Sequence, residues 1–195
     1  MKKLLITGFE PFGGAEENPS WLAVQALPDR VGDYALHKLK LPTVFGEAAA
    51  MVLAKAAEIS ADVVISVGVA VGRDAVTPER IAVNIRDARI PDNAGNQPRG
   101  VFVAEDGPAA YFSTLPVEVM AQAIRDARIP ATVSNSAGSY VCNDVMYTVL
   151  HQYAGSTVRA GFIHVPQLPR QGTPSMELEK IVAALQVAIG VLVTA

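Results

Sequence analysis

The chain's one cysteine, Cys142, stands in the stretch SNSAGSYVCNDVMY. A lone cysteine is ordinarily a small buried hydrophobe. Its surroundings here point to chemistry. Residues 131–135 read as a strand, a small-residue turn follows, and YVCNDVMYTVLHQYA reads as a helix. Cys142 therefore falls in a helix's first turn, beyond the carboxyl end of a strand, where ligands bind in open α/β sheets. Unpaired N–H groups and a partial positive charge at that place stabilise a thiolate and lower a cysteine pKa from about 8.5. The N–H of Cys142 would face the oxyanion formed when its sulfur attacks a carbonyl.

A cysteine nucleophile needs a histidine base, and the chain has three histidines. His151 lies on the same predicted helix as Cys142. At about 100° and 1.5 Å per residue it is half a turn out of phase and roughly 13 Å away along the axis. His37 alternates with leucines and belongs to the polar face of a strand. His164 ends the apolar strand AGFIHVP, directly after the cysteine helix. Sequential elements tend to be neighbours, so His164 is the natural partner. A carboxylate should orient the imidazole. Glu79, Asp87, Asp92 and Asp144 compete for that role, and spacing does not choose among them. Metal chemistry has no support: there is one cysteine, and no two histidines share a ligand spacing. The acidic residues form no clear pair for a two-carboxylate hydrolase.

The elements that must position these groups are legible. NPSWLAVQAL is a helix with Asn18 as N-cap and Pro19 at its first position. EAAAMVLAKAAEI, LPVEVMAQAIRDAR and a last segment from about Pro174, capped by Thr173, are further helices. KLLITGF, YALHKLKLP, ADVVISVGV and TVRAGFIHVP are strands, and ERIAVNIRDARIPD begins as one. The alternation predicts a single α/β domain over residues 1–195, with three α/β/α layers and a twisted, mostly parallel central sheet. IRDARIP occurs at 85–91 and again at 124–130, but the flanks differ and no repeat architecture follows. GFEPFGG follows the first strand yet lacks both glycine-rich phosphate motifs. Two phenylalanines there suit a flat, uncharged ligand better.

Composition limits the rest. With 16 basic and 19 acidic residues and no basic run, a nucleic-acid or anionic-membrane partner is not expected. Half the residues are hydrophobic, enough for a core without disulfide staples. The uncharged run IVAALQVAIGVLVTA is 15 residues long, short of the ~20 a membrane span needs. It reads as a buried helix or a subunit interface. One cysteine fits a reducing compartment, so a cytoplasmic location is expected.

TGFEPFGGAEENPSW, GRDAVTPERIAVNIRDARIPDN, SNSAGSYVCNDVMYTVLH and GFIHVPQLP together resemble the pyroglutamyl peptidase I family of cysteine peptidases, in matching order along nearly the whole chain. The resemblance implies a thiol exopeptidase that removes N-terminal pyroglutamyl groups, without cofactor or metal. It implies a triad of Glu79, Cys142 and His164. It implies Phe9 and Phe12 flanking the lactam ring, with Ile90 and Val141 completing an apolar pocket. It further implies a cytoplasmic homo-oligomer, a tetramer or dimer. The chain departs from the family pattern at Val69, at Val71, where a glycine is usual, and at Asp144, where histidine is common. A charge at Asp144, two residues from the thiol, is expected to raise its pKa. Arg73 is expected to brace its loop. Two other readings are a cysteine amidohydrolase acting on a different small amide, and a non-enzymatic lactam binder.

Overall fold

The structure, a computed structural model, describes residues 1–193. Its six-stranded sheet contains β1 (Lys2–Phe9), β2 (Arg30–Val31), β3 (Tyr34–Leu41), β4 (Val63–Val69), β5 (Thr77–Pro78) and β8 (Arg159–Val165), in the order β2-β3-β1-β4-β8-β5. The four inner strands β3, β1, β4 and β8 run parallel, and the two short edge strands pair antiparallel. A separate hairpin joins β6 (Ile81–Val83) to β7 (Ala110–Phe112). The helices are α1 (Pro19–Ala26), α2 (Glu47–Ile59), α3 (Val117–Asp126), α4 (Val141–Gln152) and α5 (Leu178–Gly190).

Both sheet faces are covered, so the inner strands are apolar on both sides. Leu4, Ile6, Val63, Ile65, Val67, Ile163 and Val165 pack toward α1, α3 and α5. Leu5, Phe9, Val64, Ala160 and Phe162 pack toward α2 and α4. This is the three-layer α/β/α arrangement with a mostly parallel sheet that the alternation predicts. The two-residue period sets the chemistry as well. Phe162 and His164 share the β8 face that looks toward α4, and Gly68 shares the corresponding face of β4.

The entry to α1 follows its sequence signal. Asn18 Oδ1 accepts from the backbone N–H of Ser20 at 3.0 Å, with Pro19 at the first helical position. Asn18 also ties the helix to the end of β1, donating from Nδ2 to Glu10 O at 3.0 Å. Gly8 permits this close approach. A Cβ there would sit 2.7 Å from Trp21 Cα and 2.8 Å from Ser20 backbone atoms. Backbone cannot swing aside as a side-chain tip can. Gly8→Ala is therefore expected to destabilise by about 1–3 kcal/mol, lowering Tm by roughly 2–12 °C in a thermal melt. A melt within 1 °C of wild type, on the order of the error, would show that the two elements separate freely.

Two local expectations change. Residues 131–135 form no continuous strand; they run beside 76–80 through isolated parallel bridges, Val76 to Ala131 and Glu79 to Ser134. The serines of the following turn bond locally instead, Ser134 Oγ donating to Ser136 O. The last helix starts at Leu178, not near Pro174. Thr173-Pro174 imitates a cap, but Pro174 O accepts from Gln167 Nε2 and Met176 N–H donates to Gln167 O, so this segment is held to the 165–168 loop. The apolar C-terminal run is a buried helix, one of the two readings its composition allows: Ile181, Ala184, Leu185, Ala188 and Ile189 are buried. Its last two residues lie outside the described ones. Among the described residues, no helix is long and apolar enough to cross a membrane.

Candidate active site

β5 pairs antiparallel with β8, Thr77 opposite His164 and Pro78 opposite Ile163. The next residue, Glu79, donates its N–H to Phe162 O at 2.9 Å. Glu79 is thus the diagonal neighbour of His164 on one sheet face, within reach of a long side chain. Its Oε1 lies 2.7 Å from His164 Nδ1. Both side chains are buried, Glu79 fully and His164 with 5% exposure. Arg73, from the turn after β4, donates to the same Oε1 at 2.7 Å and to Thr77 Oγ1 at 2.6 Å. The expected bracing role of Arg73 is what the contacts show. Burial pushes the Glu79 carboxyl up, but the hydrogen bond and charge of His164, with the hydrogen bond from Arg73, outweigh it and hold the group below the ordinary glutamate value. Glu79 is a carboxylate at neutral pH.

Cys142 is the second residue of α4 and is half-buried. A Cβ built on Gly68 would lie 2.9 Å from Cys142 Sγ and 2.9 Å from the Phe162 ring. Gly68 is the β4 residue paired with His164. The absence of a side chain at Gly68 thus leaves room for the thiol on the sheet face that carries His164. Phe162 fills the space behind, its ring 4.8 Å from the His164 ring and 6.2 Å from that of Phe9.

The thiol's acidity runs against the helix-terminus expectation. Burial pushes the Cys142 pKa up to about 12, with the Glu79 charge adding to the rise; Arg73 and the backbone only partly oppose it. The free protein therefore holds a neutral thiol. Because the chain has one cysteine, alkylation by iodoacetamide reports on this site alone. Its rate is expected to climb about tenfold per pH unit from pH 7 to 10 without levelling, as thiolate fraction dictates. A plateau below pH 8 would contradict a raised pKa.

Asp144 does not play the part its spacing implied. It is fully buried and turned away from the sulfur, as residues two apart on a helix must be. Oδ1 accepts from Arg86 Nε at 2.6 Å, and Oδ2 from the Gly46 N–H ahead of α2 at 2.8 Å. Asn143 beside it accepts from Val83 N–H and donates to Val83 O and Ile85 O. These two residues fasten the first turn of α4 to β6 and the loop beyond it.

The other candidates separate. His151 Nδ1 is 2.9 Å from Tyr111 Oη at the far end of α4. Asp92 lies below the ordinary aspartate value: burial raises it, and hydrogen bonds from Asn96, Phe45 and Ala94 more than compensate. It holds its own loop. Asp87 pairs loosely with Arg99 at 3.7 Å on the surface. Among the described residues, no cluster of three or more His, Cys, Asp or Glu could hold a metal.

A cleft of about 280 Å³ is lined by Phe12, Ile90, Val69, Val71, Gln167 and Gln171 among others; Glu79, Cys142 and His164 do not line it, and Val69, next to Gly68, is its nearest link to them along the chain. Phe12 and Ile90 are on its wall. Phe9 and Val141 are buried, with 2% and 0% exposure. Tyr140 and Phe45 were not singled out by sequence, yet Tyr140 faces Phe12 at 6.0 Å and meets Phe45 edge-on at 5.3 Å. Tyr140 also donates to Pro91 O at 3.0 Å. Its place two residues before Cys142 was the available signal. Glu10, read only as a break in an apolar run, is a clamp: Oε1 accepts from Thr43 N–H and Asn93 Nδ2, joining the Phe12 loop to the Ile90 loop.

Residues 2–195 match the pyroglutamyl peptidase family. This chain belongs to that family. It is 50% identical over 196 residues to a pyrrolidone-carboxylate peptidase of Escherichia fergusonii, covering 97% of this chain and 92% of the relative. It is also 50% identical to the pyrrolidone-carboxylate peptidase of Levilactobacillus brevis, covering 99% and 98%. The crystal structure of Bacillus amyloliquefaciens pyroglutamyl peptidase I superposes with a TM-score of 0.96 at 40% identity, covering 100% and 98% of the two chains. The pyrrolidone carboxyl peptidase of Thermococcus litoralis gives 0.95 at 42%, covering 100% and 94%. The family is therefore matched in both sequence and fold.

Proposed function

We propose that this protein is a cysteine exopeptidase that removes N-terminal pyroglutamyl groups from peptides. The observation that carries the reading is the buried Glu79–His164 contact of 2.7 Å on the sheet face where Gly68 makes room for Cys142 Sγ. Family membership supplies the substrate class.

In this reading His164 takes the thiol proton as Cys142 attacks the pyroglutamyl carbonyl. Glu79 fixes the imidazole by its Nδ1 and stabilises the cation that forms; Arg73 holds Glu79 in place. A thiol with a pKa near 12 is a poor nucleophile alone, so proton transfer to His164 must accompany attack. The N–H of Cys142, in the first turn of α4, is one oxyanion donor. His164 then protonates the leaving amine, the thioester forms, and a water activated by His164 releases pyroglutamate.

The substrate's chemistry suits the cleft. A pyroglutamyl residue has no free α-ammonium, because its nitrogen is part of a neutral lactam. Phe12 and Ile90 form an apolar wall for such a ring, and Phe9 and Val141 back it from the core. Homo-oligomeric assembly and a cytoplasmic location belong to the same reading. The exposed Phe102 and Phe112 offer apolar surface for assembly, and a free thiol suits a reducing compartment.

The test is turnover of a fluorogenic pyroglutamyl amide by the purified protein, compared with glutaminyl and prolyl amides. Hydrolysis of the pyroglutamyl amide alone supports the proposal. Preference for either other amide points to a different amidohydrolase, and ring binding without hydrolysis to a non-enzymatic binder.

A further inference from the structure

The cleft is longer than the ring wall. Besides Phe12 and Ile90 it is lined by Val69, Val71, Gln167 and Gln171. Val69 is the last residue of β4 and directly follows Gly68, the residue that abuts the thiol. Val71 lies in the turn that follows. The left-handed position of that turn is Gly72, at φ 88°, so the turn does not require a glycine at 71. Val71 is 70% exposed and Ile90 46% exposed. These are large apolar surfaces left in water on the wall of a concave site, and a ligand that covers them gains in proportion to the area buried.

The cleft also has a continuation. A shallow groove of about 380 Å³ adjoins it, sharing Ala15, Glu17 and Gln171 and ending at Arg170. Glu17 and Arg170 pair there through two contacts, Arg170 Nη2 to Glu17 Oε2 at 2.6 Å and Nε to Oε1. The chain thus offers an apolar step beside the thiol and a charged step farther out.

Resting on the proposed peptidase activity, we propose that Val69 and Val71 form the subsite for the residue after pyroglutamate and select apolar side chains there. The ring and the leaving residue lie on opposite sides of the scissile carbonyl. With the ring against Phe12, Ile90 and the start of α4, the leaving residue takes the part of the cleft that runs from Val69 outward. A branched or aromatic side chain then covers Val71. A glycine leaves Val71 wet.

The experiment measures kcat/KM on pyroglutamyl-X-amides with X as Gly, Ser, Leu and Phe, for wild type and for Val71→Ser and Val71→Asp. Val71 is exposed, so neither variant removes core packing. Wild type is expected to favour Leu and Phe over Gly by about tenfold, the low end of what an apolar pocket discriminates. Val71→Ser should cut that ratio by roughly threefold and Val71→Asp should abolish it, since a charge would be desolvated. Equal rates for all four peptides in wild type, or ratios unmoved by both variants, would overturn the subsite while leaving the peptidase reading in place. No hydrolysis of any pyroglutamyl peptide, glycine included, would overturn both.

Discussion

Replacing Cys142 with alanine is expected to lower kcat/KM on a pyroglutamyl amide by about 10⁴-fold or more, the scale seen when a covalent nucleophile is removed. The chain has no second thiol to take over the attack. Serine in the same place should fare little better. Cys142 sits in a dehydrated place that already pushes its thiol up to about 12, and an alcohol, far less acidic, has more to lose there. Because Cys142 is half-buried, its truncation removes little packing, so a thermal melt should move by only a few degrees, roughly the effect of 1 kcal/mol. Retained fold with lost activity is the combination to look for. Activity within tenfold of wild type would remove Cys142 from the mechanism.

Glu79→Gln is the second large effect, and the structure sets its form. One carboxylate oxygen, Oε1, serves both Arg73 and His164 Nδ1. Arginine only donates, so a glutamine must turn its carbonyl oxygen to that spot. Its NH₂ then occupies the place of Oε2, which is buried without a hydrogen-bond partner. The imidazole orientation therefore survives, and the charge that stabilises the imidazolium does not. The expected loss in kcat is about 10²- to 10³-fold, with KM little changed. Glu79→Ala removes the orientation as well and should cost about tenfold more. Equal rates for the two variants would mean that Glu79 acts through its charge alone and not by holding the ring. A kcat unchanged in both would remove Glu79 from the reaction.

Much of this arrangement was readable in one dimension. Alternating apolar runs required a covered, mostly parallel sheet, and helical phase separated His151 from Cys142. The period-two pattern of β8 put His164 on one face or the other, but not which face α4 would cover. The Glu79–His164 contact was beyond reach because it depends on Thr77 standing opposite His164 in a two-residue strand. No sequence pattern of that length fixes a register. Family resemblance, not spacing, singled out Glu79 among four carboxylates.

The misreadings have physical causes. Thr173 and Pro174 carry a true cap signature, overridden by the bonds that hold 174–176 to Gln167. The helix end and the charge at Asp144 are influences legible along the chain, whereas the burial that dominates the thiol's acidity is a property of everything packed around it. Asp144 was judged by its distance along the chain. Helical phase already places residues two apart about 200° from each other, and the buried bonds to Arg86 and Gly46 N–H use the direction it takes.

The most direct measurement of the central claim is a rapid acid quench of the protein with a pyroglutamyl amide, followed by peptide mass analysis. The account predicts a pyroglutamyl adduct on the peptide that contains Cys142, absent after the substrate is exhausted and absent in Cys142→Ala. Steady hydrolysis by Cys142→Ala at a rate near that of wild type, or an acyl group found on any other residue, would contradict it.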